Sequence, residues 1–151
     1  MMTGLEFPDI SPIMFSIGPV AVRWYSMAYL FGILAGWYLI NRNVKKYDLG
    51  LSRTNVEDMV FYLTLGIILG GRLGYVLFYG KGYFWENPLR ILEIWQGGMS
   101  FHGGVLGVVA ALWLFARKIN YGFLRLTDLV VLYAPIGIFC GRLANFVNDE
   151  L

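Results

Sequence analysis

Few residues in this chain could build a metal site, a disulfide or a charged binding surface. A single cysteine, Cys140, excludes an intramolecular disulfide. One histidine, His102, with no cysteine pair beside it excludes the usual four-ligand zinc site, so no structural metal is expected. Charged residues make up only 15% of the chain and the net charge is +2, with the basic residues gathered in two short segments rather than along one face, which argues against a nucleic-acid partner. No G-x-x-x-x-G-K-[ST] occurs, and "GGRLG" at 70–74 lies within an apolar run rather than after a strand, so nucleotide chemistry has no support. The opening "MMTGLEFPDISPIMFSIGPV" holds Glu6 and Asp9 but neither Lys nor Arg, and Pro8, Pro12 and Pro19 interrupt it. It lacks the basic n-region of a signal peptide and is expected to be retained, lying along the membrane interface.

What the chain has in quantity is apolar surface. Of its 151 residues 58% are hydrophobic and 17% aromatic. The mean hydropathy is +0.59, the profile of an integral membrane protein rather than a soluble domain. Residues 24–41 and 94–116 contain no charge, and residues 59–80 and 129–148 contain one arginine each, Arg72 and Arg142. Each run is close to the ~20 residues that cross a hydrocarbon core. The expected fold is therefore all-α: a polytopic bundle of four transmembrane helices, at about 23–41, 57–80, 96–116 and 128–148, preceded by the interfacial segment and forming one membrane domain over 1–151. Arg42, Lys45, Lys46 and Arg53 lie between spans one and two, and Arg117, Lys118 and Arg125 between spans three and four. By the positive-inside rule both connections are expected to be cytoplasmic, with both termini and the 81–93 segment on the outer side.

Glycines recur at four-residue spacing: Gly32 and Gly36; Gly66, Gly70 and Gly74; Gly103 and Gly107; Gly137 and Gly141. Small residues repeated on one face allow helices to approach closely in lipid. Pro135, inside the fourth run, is expected to kink that helix and deprive the Val131 carbonyl of its usual donor.

An arginine near the centre of a bilayer costs roughly 2.5–3.5 kcal/mol on insertion scales, so Arg72 and Arg142 need an account. Snorkelling to the nearer interface is the plain one. Together with Tyr25, His102 and Asn145, however, they fall at a common depth in the outer half of the membrane. Arg142, Asn145 and Asn148 are spaced to share a helix face, a cationic and amide stripe suited to an oxyanion. The oxyanion available at that depth is a phospholipid phosphate, which arginine can grip with two parallel hydrogen bonds. The imidazole of His102 is the natural proton acceptor there, with glycines beside it leaving room for a bulky reactant.

Plainer roles stand next to these: packing for His102, an aromatic-belt anchor for Tyr25, a small buried hydrophobe for Cys140. Ser100 and His102 are i and i+2 on a helix and point apart, which disfavours a serine protease dyad. A non-catalytic module that binds anionic lipid fits the same arginine pocket. A transporter would need polar residues through the cytoplasmic halves of the spans as well, and those halves are nearly free of charge.

"FSIGPVAVRWYSMAYLFG", "GGRLGYVLFY", "GGMSFHGG" and "GRLANFVNDEL" occur in this order. With them the chain resembles the bacterial prolipoprotein diacylglyceryl transferases from Phe7 to Leu151. The resemblance implies an inner-membrane enzyme without metal or organic cofactor. Such an enzyme moves the diacylglyceryl group of phosphatidylglycerol to the lipobox cysteine of a prolipoprotein signal peptide. It implies catalytic roles for Tyr25 and for His102 of the H-G-G motif, with Gly103 and Gly104 at the substrate. Arg142, Asn145 and Glu150 match the family's G-R-x-x-N-F-x-N-x-E signature at the lipid phosphate and glycerol, and Arg72 joins this substrate-binding set. The family pattern continues past Leu151, which implies that these residues are the N-terminal half of a longer enzyme.

Overall fold

The computed structural model describes residues 11, 13–17, 20–80, 84, 87–94 and 98–147, and of residues 17, 20–23 and 25 the backbone alone. In chain order the elements are strands β1 (Ile13–Ile17) and β2 (Val20–Arg23), helices α1 (Trp24–Tyr47) and α2 (Arg53–Tyr79), and a short 3-10 helix at Pro88–Leu92. Helices α3 (Phe101–Lys118), α4 (Phe123–Val131) and α5 (Ala134–Val147) follow. They fall into two compact units, one comprising Asn41–Val130 and the other Met1–Ile40 with Val131–Leu151.

The structure is predominantly helical, as expected, with helix in each of the four expected runs and one small hairpin besides. β1 and β2 pair antiparallel, Ile17 opposite Val20 and Ile13 opposite Arg23, within the segment expected to lie flat at the interface. Ile13, Phe15, Ile17, Val20 and Val22 are strong strand formers flanking a Gly-Pro pair, a pattern outweighed in the sequence reading by the prolines around it.

Within Asn41–Val130, α2 and α3 pack antiparallel through bare backbone. A Cβ placed on Gly66 would lie 2.5 Å from the carbonyl oxygen of Gly107, and one on Gly74 would lie 2.7 Å from the Cα of Gly103. No side chain larger than hydrogen fits between the two helices at these crossings. α2 begins where Ser52 caps it, its hydroxyl oxygen accepting from the Asn55 amide at 3.0 Å. Toward that end the buried side chains are Val56 and Met59 of α2, Leu112 and Phe115 of α3, and Leu126 of α4. Tyr121, in the turn after α3, donates its hydroxyl to the Leu49 carbonyl at 2.8 Å, joining the α1–α2 and α3–α4 connections. The Lys118 ammonium donates to Asp58 at 3.2 Å; that hydrogen bond and the carboxylate charge raise the lysine above its ordinary value.

On α2 the residues turned away from α3 include Phe61, Leu65, Leu69, Leu73 and Leu77, all exposed, Leu77 to 70%. An apolar stripe of this length turned outward suits lipid rather than water. Among the described residues α2 is the one helix that alone is long and apolar enough to cross a membrane, and α4 with α5 would form a second if taken as one interrupted span. The other two expected spans deviate for local reasons. α1 is rich in tryptophan and tyrosine, which favour the interface over the hydrocarbon. α3 starts at Phe101 rather than near 96 and runs into Arg117 and Lys118. The fourth run is broken rather than kinked: α4 stops at Val131, and Pro135 falls in the first turn of α5, where its missing N–H costs nothing.

In the other unit α1 and α5 meet at Gly32, where an added Cβ would lie 3.1 Å from the Cα of Gly137. Cys140 and Ala144, on the same side of α5, are buried, as is Ile40 of α1. Cys140 is thus the small buried group expected from the sequence.

Candidate functional site

His102 owes its place to two residues ahead of it in the chain. Ser100, only 6% exposed, caps α3: its hydroxyl oxygen accepts from the Gly103 amide at 3.2 Å, and its carbonyl accepts from the Gly104 amide at 2.9 Å. The Ser100 amide donates to the Gly71 carbonyl at 2.8 Å, fixing the start of α3 to the backbone of α2. His102 follows in the first turn, exposed, with Phe101 edge-on at 5.9 Å. Ser100 therefore serves as a cap. The serine of this segment entered the sequence reading only as a rejected nucleophile, although a serine followed three residues later by a buried glycine amide is a recognisable cap.

Gly103 and Gly104, both assigned to the substrate by the family resemblance, differ here. Gly103 is buried with its bare Cα against α2, where a Cβ would lie 2.9 Å from the Cα of Gly74. A Cβ on Gly104 would meet only the Ile67 carbonyl oxygen at 3.8 Å, so of the two glycines it is Gly104 that has open space at its Cα.

Arg72 is enclosed by its own chain. It is buried to 6% exposure, and its guanidinium donates to the carbonyls of Ile91 at 2.9 Å, Arg90 at 2.6 Å and Gly98 at 3.3 Å. The rings of Phe84 and Tyr75 lie 5.3 and 5.9 Å from its central carbon. A planar fork with several fixed donors suits this convergence of carbonyls, and an ammonium does not. Gly98 adopts a φ of +77°, and a Cβ there would lie 2.5 Å from the Tyr75 ring, so only glycine is accommodated.

In the second unit α5 carries Arg142 and Asn145 one turn apart, Arg142 exposed and Asn145 half-buried, with Cys140 and Ala144 inward. Two of the three residues predicted to share a face, Arg142 and Asn145, are thus helical at i+3 spacing. Tyr25 lies in the first turn of α1, with its backbone alone described, and Glu150 and Asn148 lie outside the described residues. One turn beyond Tyr25, the hydroxyl of Tyr29 lies 3.8 Å from where a Cβ on Gly141 would be, next to Arg142 in sequence. Tyr29 was not singled out in the sequence; its i+4 spacing from Tyr25 was the available signal. The polar groups thus form two sets, Arg72, Ser100 and His102 in one unit and Tyr29, Arg142 and Asn145 in the other.

Comparison with known proteins gives one family. Residues 12–151 match the family model described as prolipoprotein diacylglyceryl transferase. Phosphatidylglycerol–prolipoprotein diacylglyceryl transferases from Rickettsia canadensis and Rickettsia felis are each 51% identical to the chain, over 145 and 147 residues. These alignments cover 96% and 97% of the chain but 56% and 57% of the relatives. The corresponding protein of Rickettsia bellii is 47% identical over 147 residues. The chain spans a little more than half the length of the curated relatives it matches.

Proposed function

Because this chain belongs to the prolipoprotein diacylglyceryl transferase family, we propose that it supplies the N-terminal half of an enzyme that lipidates prolipoproteins at their lipobox cysteine. The donor is phosphatidylglycerol, and its sn-1,2-diacylglyceryl group is transferred. A carbon–sulfur bond forms to the cysteine as the carbon–oxygen bond to the phosphate breaks; the thiol proton goes to a base, and glycerol phosphate leaves. A thiol of ordinary pKa about 8.5 is mostly protonated at neutral pH, so the step needs a proton acceptor. His102 takes that role, its side chain exposed in the first turn of α3. The departing phosphate gains charge, which Arg142 neutralises with two parallel N–H groups while Asn145 and Glu150 bind alongside; Tyr25 joins His102 as a catalytic residue.

The enzyme is a multi-pass protein of the bacterial inner membrane, with the ends of this chain on the periplasmic side and the site in the outer half of the bilayer. Support for this orientation comes from the Tyr121–Leu49 hydrogen bond, which brings the two basic connections to one end of their unit, opposite His102. A non-catalytic anionic-lipid-binding module, the alternative left by the residues alone, is not favoured by relatives that carry transferase names.

The family match carries this reading, and complementation tests it. Cells depleted of their transferase are supplied with the full-length protein bearing these residues. Restored growth and lipidation of prolipoproteins is the expected result, and failure of a well-expressed, membrane-inserted protein to lipidate any prolipoprotein overturns the assignment.

A further inference from the structure

Two adjacent residues of α2 hold the segment that leads into the proposed catalytic turn. Gly71 accepts the Ser100 amide through its carbonyl, and Arg72 reaches the Gly98 carbonyl two residues earlier while also binding the carbonyls of Arg90 and Ile91. The end of the 3-10 helix and the two residues Gly98 and Ser100 ahead of α3 are therefore tied to α2. His102 lies two residues beyond the second tie. Its helix cannot slide to compensate for a loosened segment, because Gly103 and Gly107 rest directly on the α2 backbone.

We propose that Arg72 is a positioning residue for the diacylglyceryl transfer, acting through the carbonyls of Arg90, Ile91 and Gly98 to fix the Ser100 cap and the imidazole of His102, and that it does not itself contact the lipid phosphate. The burial of the guanidinium and the carbonyls it binds carry the inference. A phosphate-binding arginine would present N–H groups away from its own chain, and Arg142 is exposed, whereas three of Arg72's donors are turned into its own chain. Stacking near Phe84 and Tyr75 fixes the plane of the fork, and the positive φ of Gly98 turns that carbonyl toward it. The proposal rests on the transferase reading for its chemical consequence but not for its structural one, and the test separates the two.

The test uses the full-length protein in nanodiscs with Arg72→Lys, which keeps the charge and loses the fork. Hydrogen exchange and transfer kinetics with phosphatidylglycerol vesicles and a lipobox peptide are measured together. The expected result is faster exchange, by about tenfold or more, at the amides of Ser100, Gly103 and Gly104. Exchange at Leu112 and Phe115 should stay unchanged, and kcat should fall at least about tenfold, with the KM for phosphatidylglycerol within about twofold of the parent. Unchanged exchange at Ser100, or a raised KM with kcat preserved, overturns the proposal; the latter outcome would place Arg72 on the lipid. If Arg72→Lys also loosens Leu112 and Phe115, Ser100→Ala opens the cap alone and must give the same kcat-only defect. Should the parent protein transfer nothing, the transferase reading fails, and the exchange measurements still decide whether Arg72 holds the turn.

Discussion

The carbonyl oxygen of Gly107 and the Cα of Gly66 are so close that a methyl group on Gly66 would lie 2.5 Å from that oxygen. Backbone lies against backbone, and neither side can move aside by changing rotamer. Gly107→Val is therefore expected to destabilise by more than the ~1–3 kcal/mol usual for overpacking, visible as a lowered unfolding temperature in detergent. Gly36→Ala, where a Cβ meets nothing within 4 Å, should be neutral or stabilising by up to ~1 kcal/mol. Equal effects of the two substitutions would show that the α2–α3 contact is not the close one described.

His102→Gln removes the proposed base, and a general base typically contributes about 10²–10⁴-fold. Transfer near pH 7 should drop by that order. Because the acceptor thiol ionises by itself as the pH passes about 8.5, the variant should regain rate between roughly pH 7 and 9 more steeply than the parent. A variant with near-parental activity and a parallel pH profile would remove His102 from proton transfer.

Arg142→Ala should lower kcat about 10²–10³-fold, the range for losing a donor that stabilises developing negative charge. Arg142→Lys should recover part of this through charge alone, but not all, since one ammonium cannot reproduce two parallel N–H groups. Full recovery by lysine would indicate that Arg142 contributes only field.

Tyr121→Phe deletes the part-buried hydrogen bond to Leu49 and should cost about 1 kcal/mol in denaturant unfolding, independent of salt. Asp58→Asn breaks an exposed pair with Lys118 and should lower stability only slightly, the effect fading as salt is raised. A strong salt dependence for Tyr121→Phe would contradict the neutral hydrogen bond.

The glycine spacing made the α2–α3 contact readable from sequence, because close approach demands the smallest residue at each crossing and leaves a visible period. The Arg142–Asn145 face was readable for the same reason, as i+3 spacing survives any tertiary arrangement. The occupation of Arg72 was not. Its partners are backbone carbonyls at Arg90, Ile91 and Gly98, and carbonyls carry no residue code. The hairpin was missed because the prolines were read as interruptions, and Pro135 because a proline near the middle of a predicted span resembles one at the first turn of a new helix. Ser100 was judged by its distance from His102, when its bond to Gly103 was the informative one.

The glycine contact also makes α3 a measuring rod. With no side-chain layer to compress, α2 and α3 keep a fixed register, and the stretch from Lys118 back to His102 is about 24 Å at 1.5 Å per residue. In the proposed orientation the imidazole therefore lies that far along the helix from the basic end, and the position of the proposed base is determined by helix length rather than by the loops around it.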